Sequence, residues 1–226
     1  MVGKEFNKLE KGYTEKISCW VPWYFELLQA LAIAYPDEFQ PTRILDMGCG
    51  NGNVTAILLQ RFPQASYTLL DASEEMIASV QRRFAEYDNF HFRESYFQEA
   101  DFPQAHFDLV VAGLTLHHLK PGEKAEVYPK IHNWLRPGGF FSSSDLYVSK
   151  DNEPHHSAVI AHWKQIAREQ GTSPEDWDYI MWHYGVYDHP CDYSTEDRLH
   201  REAGFTLRDY PFCRGAWASY RGWRSS

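Results

Sequence analysis

The sequence predicts an α/β fold: a doubly wound, mainly parallel sheet with helices on both faces. Three observations carry that prediction. Between residues 41 and 147, short apolar runs alternate with stretches of helical period at the spacing of strand–helix units. The first run, Ile44-Leu45-Asp46, ends in an acid and passes into glycines at 48, 50 and 52. A second run, Ser66–Asp71, ends in another acid about twenty residues later.

Taken in order, residues 1–19 are polar. From Cys19 to Tyr35 the run CWVPWYFELLQALAIAY sets Leu27, Leu28, Leu31 and Ala34 at helical spacing, with Pro22 suited to the first turn. A helix ahead of the first strand either lies over a ligand cleft as a lid or packs on the sheet edge. As a lid it would present Tyr13, Trp20, Trp23 and Tyr24. The glycine-loop strand follows Pro41, and Val54, Ile57, Leu58 and Phe62 then mark a helix that stops at Pro63. After the second strand, Ser73-Glu74-Glu75 is an N-cap with acids in the first turn. Met76, Ile77, Val80 and Phe84 form that helix's buried face. Strands follow at Phe90–Glu94 and Phe107–Ala112, the latter leading into Gly113-Leu114 and a His117-His118 doublet. Pro121–Leu135 reads as a helix, stopped by Arg136-Pro137-Gly138-Gly139, and Phe140–Tyr147 as a fifth strand.

Residues 148–200 interrupt the alternation with a polar loop and helices at Ala158–Gln170 and Pro174–Trp182. This segment is expected to be a helical insert or substrate cap. A last helix, Thr195–Ala203, precedes a closing hairpin, Phe205–Cys213 and Trp217–Trp223. The expected layout is one domain: N-terminal lid helices over 1–40, a cofactor-binding core over 41–147, the insert over 148–200 and the hairpin over 201–226.

The glycine turn is where the chemistry concentrates. Glycine lets the backbone turn sharply beside a ligand, and parallel strands bind ligands at their C-terminal exits. A dinucleotide fingerprint would need a third glycine at 53, where the chain has Asn. Asp46 would also repel a pyrophosphate in a poorly solvated pocket. S-adenosylmethionine carries a sulfonium and an ammonium and no phosphate, so acids suit it. Asp71, closing the next strand, can accept both ribose hydroxyls of an adenosine ligand.

The joint order of LDMGCGNG (45–52), LLDAS (69–73), FDLVVAGLTLHHL (107–119), LRPGGFF (135–141) and EAGF (202–205) resembles the class I S-adenosylmethionine-dependent methyltransferases. The resemblance covers about Val21 to the C-terminus and implies a Rossmann-like, seven-stranded sheet with its last strand antiparallel. By it, Asp46, Gly48, Cys49 and Gly50 would hold the methionine end of the cofactor, and Asp71 the ribose. Ala72, Met76, Tyr96 and Phe97 would surround the adenine, with Gly113 and Leu114 on the sulfonium side. Many relatives carry a Gly-Asp pair where this chain has Ser95-Tyr96. Val21-Pro22-Trp23-Tyr24 is also similar to a segment of the carboxy-S-adenosylmethionine synthases, in which Tyr24 would reach the cofactor carboxylate. That group needs an arginine where an ungapped alignment puts Met181, and no Arg or Lys occurs between Glu169 and Asp197. Ordinary methyl transfer to a small molecule is therefore the expected activity. The alternatives are the carboxylated-cofactor enzyme and a non-catalytic binding module.

Methyl transfer needs alignment more than acid–base help, and a base only where the nucleophile carries a proton. His117 and His118 follow the fourth strand and Asp145 closes the fifth, so these are the catalytic candidates, against the alternative of structural packing. Tyr13, Trp20, Trp182, Tyr184 and Arg214 are candidates for the acceptor, through an aromatic enclosure or an acidic group. His155, His156, His162, His183, His189 and Cys191 match no zinc spacing, so no metal is expected.

Composition narrows the classes. The 226 residues suffice for one sizeable core, and 43% hydrophobic with 23% charged residues is a globular balance. A formal charge of -9 argues against nucleic acid as partner. No apolar run reaches membrane-spanning length, Lys4, Glu5, Lys8, Glu10 and Lys11 are unlike a signal peptide, and the 4 cysteines form no CxxC pair. A cytoplasmic protein with free thiols is the expectation.

Overall fold

The computed structural model describes residues 12–33 and 35–225. The charged N-terminal residues from Lys4 to Lys11, and Ala34 of the first helical pattern, lie outside them. Seven strands form one sheet: β1 (Arg43–Met47), β2 (Ser66–Asp71), β3 (Phe90–Glu94), β4 (Phe107–Gly113), β5 (Leu135–Leu146), β6 (Leu207–Arg214) and β7 (Trp217–Trp223). Their order is β3-β2-β1-β4-β5-β7-β6, with β7 antiparallel to both neighbours and the other pairings parallel. This is the doubly wound α/β sheet that the motifs imply.

The strands are apolar on both sides because each side is covered. Ile44, Leu69, Leu109 and Val111 face one core with α2 (Tyr24–Ile33), α3 (Asn53–Arg61) and α4 (Glu74–Arg83). Leu45, Met47, Leu70, Val110 and Ala112 face the other, with α5 (Pro121–Trp134) and α8 (Tyr193–Glu202). Successive strand residues point to opposite faces, so one unbroken apolar run serves both layers.

Several boundaries depart from expectation; the insert helices, for example, begin at His155 and run on past Trp182 to Tyr187. The first helical run is two helices, α1 (Tyr13–Trp20) and α2, broken at Val21–Trp23. Pro22 sits in the break, not in a first turn, and Trp23 adopts a left-handed φ of 54°. A proline lacking its N–H interrupts the hydrogen-bond ladder there. Strand β5 starts at Leu135, ahead of the Pro-Gly-Gly stretch: Leu135 pairs with Phe107, and a register shift follows before Leu109 meets Phe140. The glycines absorb the irregularity, Gly138 at φ 84°.

Helices α6 (His155–Glu169) and α7 (Pro174–Tyr187) pack against α1. Trp163 donates its indole N–H to the Trp20 carbonyl at 2.7 Å, and the Thr172 hydroxyl donates to the Cys19 carbonyl at 2.9 Å. Lys150 donates to the Tyr184 and Asp188 carbonyls. The end of α7 and the turn after it thereby stand over the exits of β4 and β5.

Candidate active site

The glycine loop leaves β1 with Gly48, Gly50 and Gly52 at φ 68°, 51° and 85°. At Gly48 the glycine is also sterically required, since a Cβ there would come within 2.3 Å of the Thr115 hydroxyl. Asp71 at the tip of β2 clamps the loop. Its Oδ2 accepts the Gly50 N–H and its Oδ1 the Ser73 N–H, both at 2.9 Å. Ser73 in turn accepts the Met76 N–H and caps α4. Burial pushes the Asp71 carboxyl up, against these backbone donors.

Asp46 is buried and does not line the cleft. Thr55 donates to its Oδ2 at 2.5 Å, and its Oδ1 has no hydrogen-bond partner. Burial lifts its pKa to about 7. Cys49 is buried beside it. Tyr24 lies under the loop, its hydroxyl accepting from Asn53 at 2.8 Å.

Above the loop lies a cleft of about 620 Å³, within the range of small-molecule sites. Gly48, Gly50, Asp71, Ala72 and Met76 line one end. Tyr96, Phe97, Gly113, Leu114 and Tyr13 continue the wall. Of the charged lining residues, Asp71, Glu99 and Glu123 face a single lysine, Lys120. That balance suits a ligand carrying a sulfonium and an ammonium and disfavours a pyrophosphate.

A second cavity, about 90 Å³, adjoins the first and shares Tyr13, Leu114 and His118 with it. Trp20, Trp163 and Trp217 give it apolar walls, and His117, His183 and Asp188 a polar end. Neither Arg nor Lys lines it among the described residues. His117 and His118 occupy a 3-10 turn, Leu116–His118, directly after β4. Asp145, at the end of β5, accepts the His117 backbone N–H at 3.0 Å and stands 2.5 Å from its Nδ1. Burial opposes charge on His117, but Asp145 and Asp188 hold its pKa above the usual imidazole value. Burial alone would raise Asp145, yet His117 and Lys124 keep it below the carboxylate range. His118 is pushed down by burial and by His117.

Three acceptor candidates fall elsewhere. Trp182 is 47% exposed on α7, and Tyr184 is buried against Trp163 and His156. Arg214 stacks over Trp23 in the hairpin turn. None lines either cavity. The aromatic enclosure is built instead by Trp20, Trp163 and Trp217, from three distant segments. Sequence reasoning also missed Thr115, whose side chain packs on Gly48, and Asp188. For Asp188 no local pattern gave a signal; the fold brings it to His117 through a backbone hydrogen bond from His189 N–H to the His117 carbonyl.

Sheet order and glycine loop are those of the Rossmann-like methyltransferase fold. A model described as a methyltransferase domain matches residues 44–139. The chain is 36% identical over 103 residues to a trans-aconitate 2-methyltransferase of Acidovorax sp. (strain JS42), covering 44% of this chain and 36% of that one. It is 25% identical over 181 residues to a citrinin polyketide synthase of Monascus ruber, covering 70% of this chain and 7% of the synthase. Human N-acetylserotonin methyltransferase, solved with S-adenosylmethionine, superposes with a TM-score of 0.66 at 15% identity, over 99% of this chain and 57% of that one. This chain thus spans much less than half of either curated relative. In fold, motif order and these matches the chain is similar to the class I S-adenosylmethionine-dependent methyltransferases.

Proposed function

We propose that the protein transfers a methyl group from S-adenosylmethionine to a small, largely apolar acceptor whose reacting end enters the smaller cavity. One observation carries this reading: the acidic glycine-loop cleft and the aromatic cavity meet at Leu114 and His118, next to the buried His117–Asp145 pair. In the family, S-adenosylmethionine supplies a methyl group on a cationic sulfur, whose leaving thioether needs no acid.

This chain's residues do the rest. Gly48 and Gly50 offer backbone to the methionine end, with the buried Asp46 carboxyl beneath, and Asp71 takes the ribose hydroxyls. Ala72, Met76, Tyr96 and Phe97 enclose the adenine, and Gly113 and Leu114 face the reacting end. Tryptophan walls exclude water from the acceptor, which contributes several kcal/mol through alignment. Asp145 fixes the His117 ring, so a proton on Nδ1 leaves Nε2 able to accept one from an acceptor hydroxyl or amine. The small volume has room for only a few non-hydrogen atoms. With Asp188 at its polar end and no Arg or Lys lining it among the described residues, it favours neutral or cationic acceptors over carboxylates.

The test is a panel of phenols, amines and carboxylates with S-adenosylmethionine, read as S-adenosylhomocysteine formed and as product mass. Methylated phenol or amine, lost in His117→Ala, is expected. Turnover confined to carboxylates, or release of a carboxylated cofactor, would refute the reading.

A further inference from the structure

We propose that His117, His118 and Asp188 form a site for one divalent first-row transition-metal cation, zinc or its neighbours, at the polar end of the acceptor cavity. The ligating atoms of these three side chains all lie within 4.8 Å of one another. Around a cation with bonds of about 2.0–2.2 Å, donor atoms are separated by up to about 4.4 Å, so small side-chain rotations close the site. The contacts converge on a single oxygen. Asp188 Oδ1 has His118 Nδ1 at 3.0 Å, His183 Nε2 at 3.4 Å and His117 Nε2 at 3.8 Å. Asp188 is only 7% exposed, and His118 at 3.0 Å is the nearest of its imidazole partners. Three imidazoles thus turn a ring nitrogen toward one buried carboxylate oxygen, and with modest rotation the donor atoms of His117, His118 and Asp188 can surround one cation.

The surroundings agree. His117 turns its Nδ1 to Asp145 and its Nε2 to the cluster, the carboxylate–histidine–metal order in which the carboxylate fixes the ring and its tautomer. Asp145 is then a positioning residue. Asp145 and Asp188 are both buried, and the nearby Lys124 is occupied by Glu196. A divalent cation would offset the two buried negative charges. Imidazole with a single carboxylate suits zinc, iron or nickel rather than magnesium or calcium, which take oxygen ligands. The site lies beside His118, which borders both cavities.

The inference rests on the acceptor-cavity reading above and alters one role within it. His117 Nε2 cannot ligate a cation and accept a proton together; in the loaded protein a coordinated acceptor hydroxyl or amine would be acidified by the cation. Spacing along the chain gave no hint of this, because His117 and Asp188 come from different elements.

The test uses the full chain, stripped with chelator and titrated with zinc chloride by calorimetry and with cobalt chloride by visible absorption. One equivalent per chain, with the absorption bands of nitrogen-ligated cobalt, is expected. His118→Gln and Asp188→Asn should each abolish the bands, and Asp145→Asn should weaken affinity roughly 10–100-fold. No binding by the unaltered protein, or binding unchanged in all three variants, overturns the proposal. S-adenosylhomocysteine affinity is measured on the same samples. If it is retained without metal binding, only the metal site fails; if it is absent, the methyltransferase reading fails by itself.

Discussion

Replacing Asp71 by Ala removes the acceptor of two backbone N–H groups, Gly50 and Ser73, each at 2.9 Å. Hydrogen bonds to a charged group contribute about 1.5–3 kcal/mol each, and partial exposure puts these at the lower end, for about 3 kcal/mol of lost stability. Asp71→Asn keeps one acceptor oxygen and should lose about half as much. The ligand effect adds to this. A carboxylate accepting ribose hydroxyls at similar strength implies an affinity for S-adenosylhomocysteine reduced roughly 100-fold in the Ala variant and about tenfold in Asn. S-adenosylhomocysteine is the proper probe because it keeps the ribose and lacks the sulfonium charge. Urea unfolding followed by tryptophan fluorescence reads the first quantity and titration calorimetry the second. A folded Asp71→Ala protein that binds as tightly as the unaltered chain, or unfolds at the same urea concentration, would refute the clamp.

Three further expectations follow from the same geometry. Gly48→Ala combines a left-handed residue with a Cβ 2.3 Å from the Thr115 hydroxyl, for about 2–5 kcal/mol in urea unfolding; Thr115→Gly in the same chain should recover the steric part. Asp46, with its folded pKa raised to about 7, holds its proton longer in the native state than in the unfolded one. Its contribution is therefore complete below about pH 4 and lost as pH rises to 7, so Asp46→Asn should gain about 3 kcal/mol on the unaltered protein between pH 5 and pH 8; a difference independent of pH would contradict this. Lys124→Met strands Glu196, which is buried and also accepts the Tyr128 hydroxyl at 2.7 Å. A loss of about 3–5 kcal/mol in denaturant unfolding is expected, most of it recovered by pairing the change with Glu196→Leu.

The sequence by itself determined the parallel core and the glycine-loop cleft. Both are written locally: a strand pattern, an acid at its tip and glycines at the turn occupy neighbouring positions, so Gly48, Gly50 and Asp71, which line the cleft, could be singled out before any contact was known, whereas Asp46 lies buried behind it. The tertiary structure alone decided the acceptor side. Trp20, Trp163 and Trp217 converge from a helix, an inserted helix and a terminal strand, whereas Trp182, in an equally aromatic stretch, faces outward. Residue type says that a tryptophan prefers burial, but which cavity it borders depends on how α6 and α7 dock against α1. The same docking carries Asp188 to His117 and His118. Chain-local chemistry fixes what one strand and its turn can hold; groups distant in sequence meet only when burial of apolar faces between elements sets their relative positions.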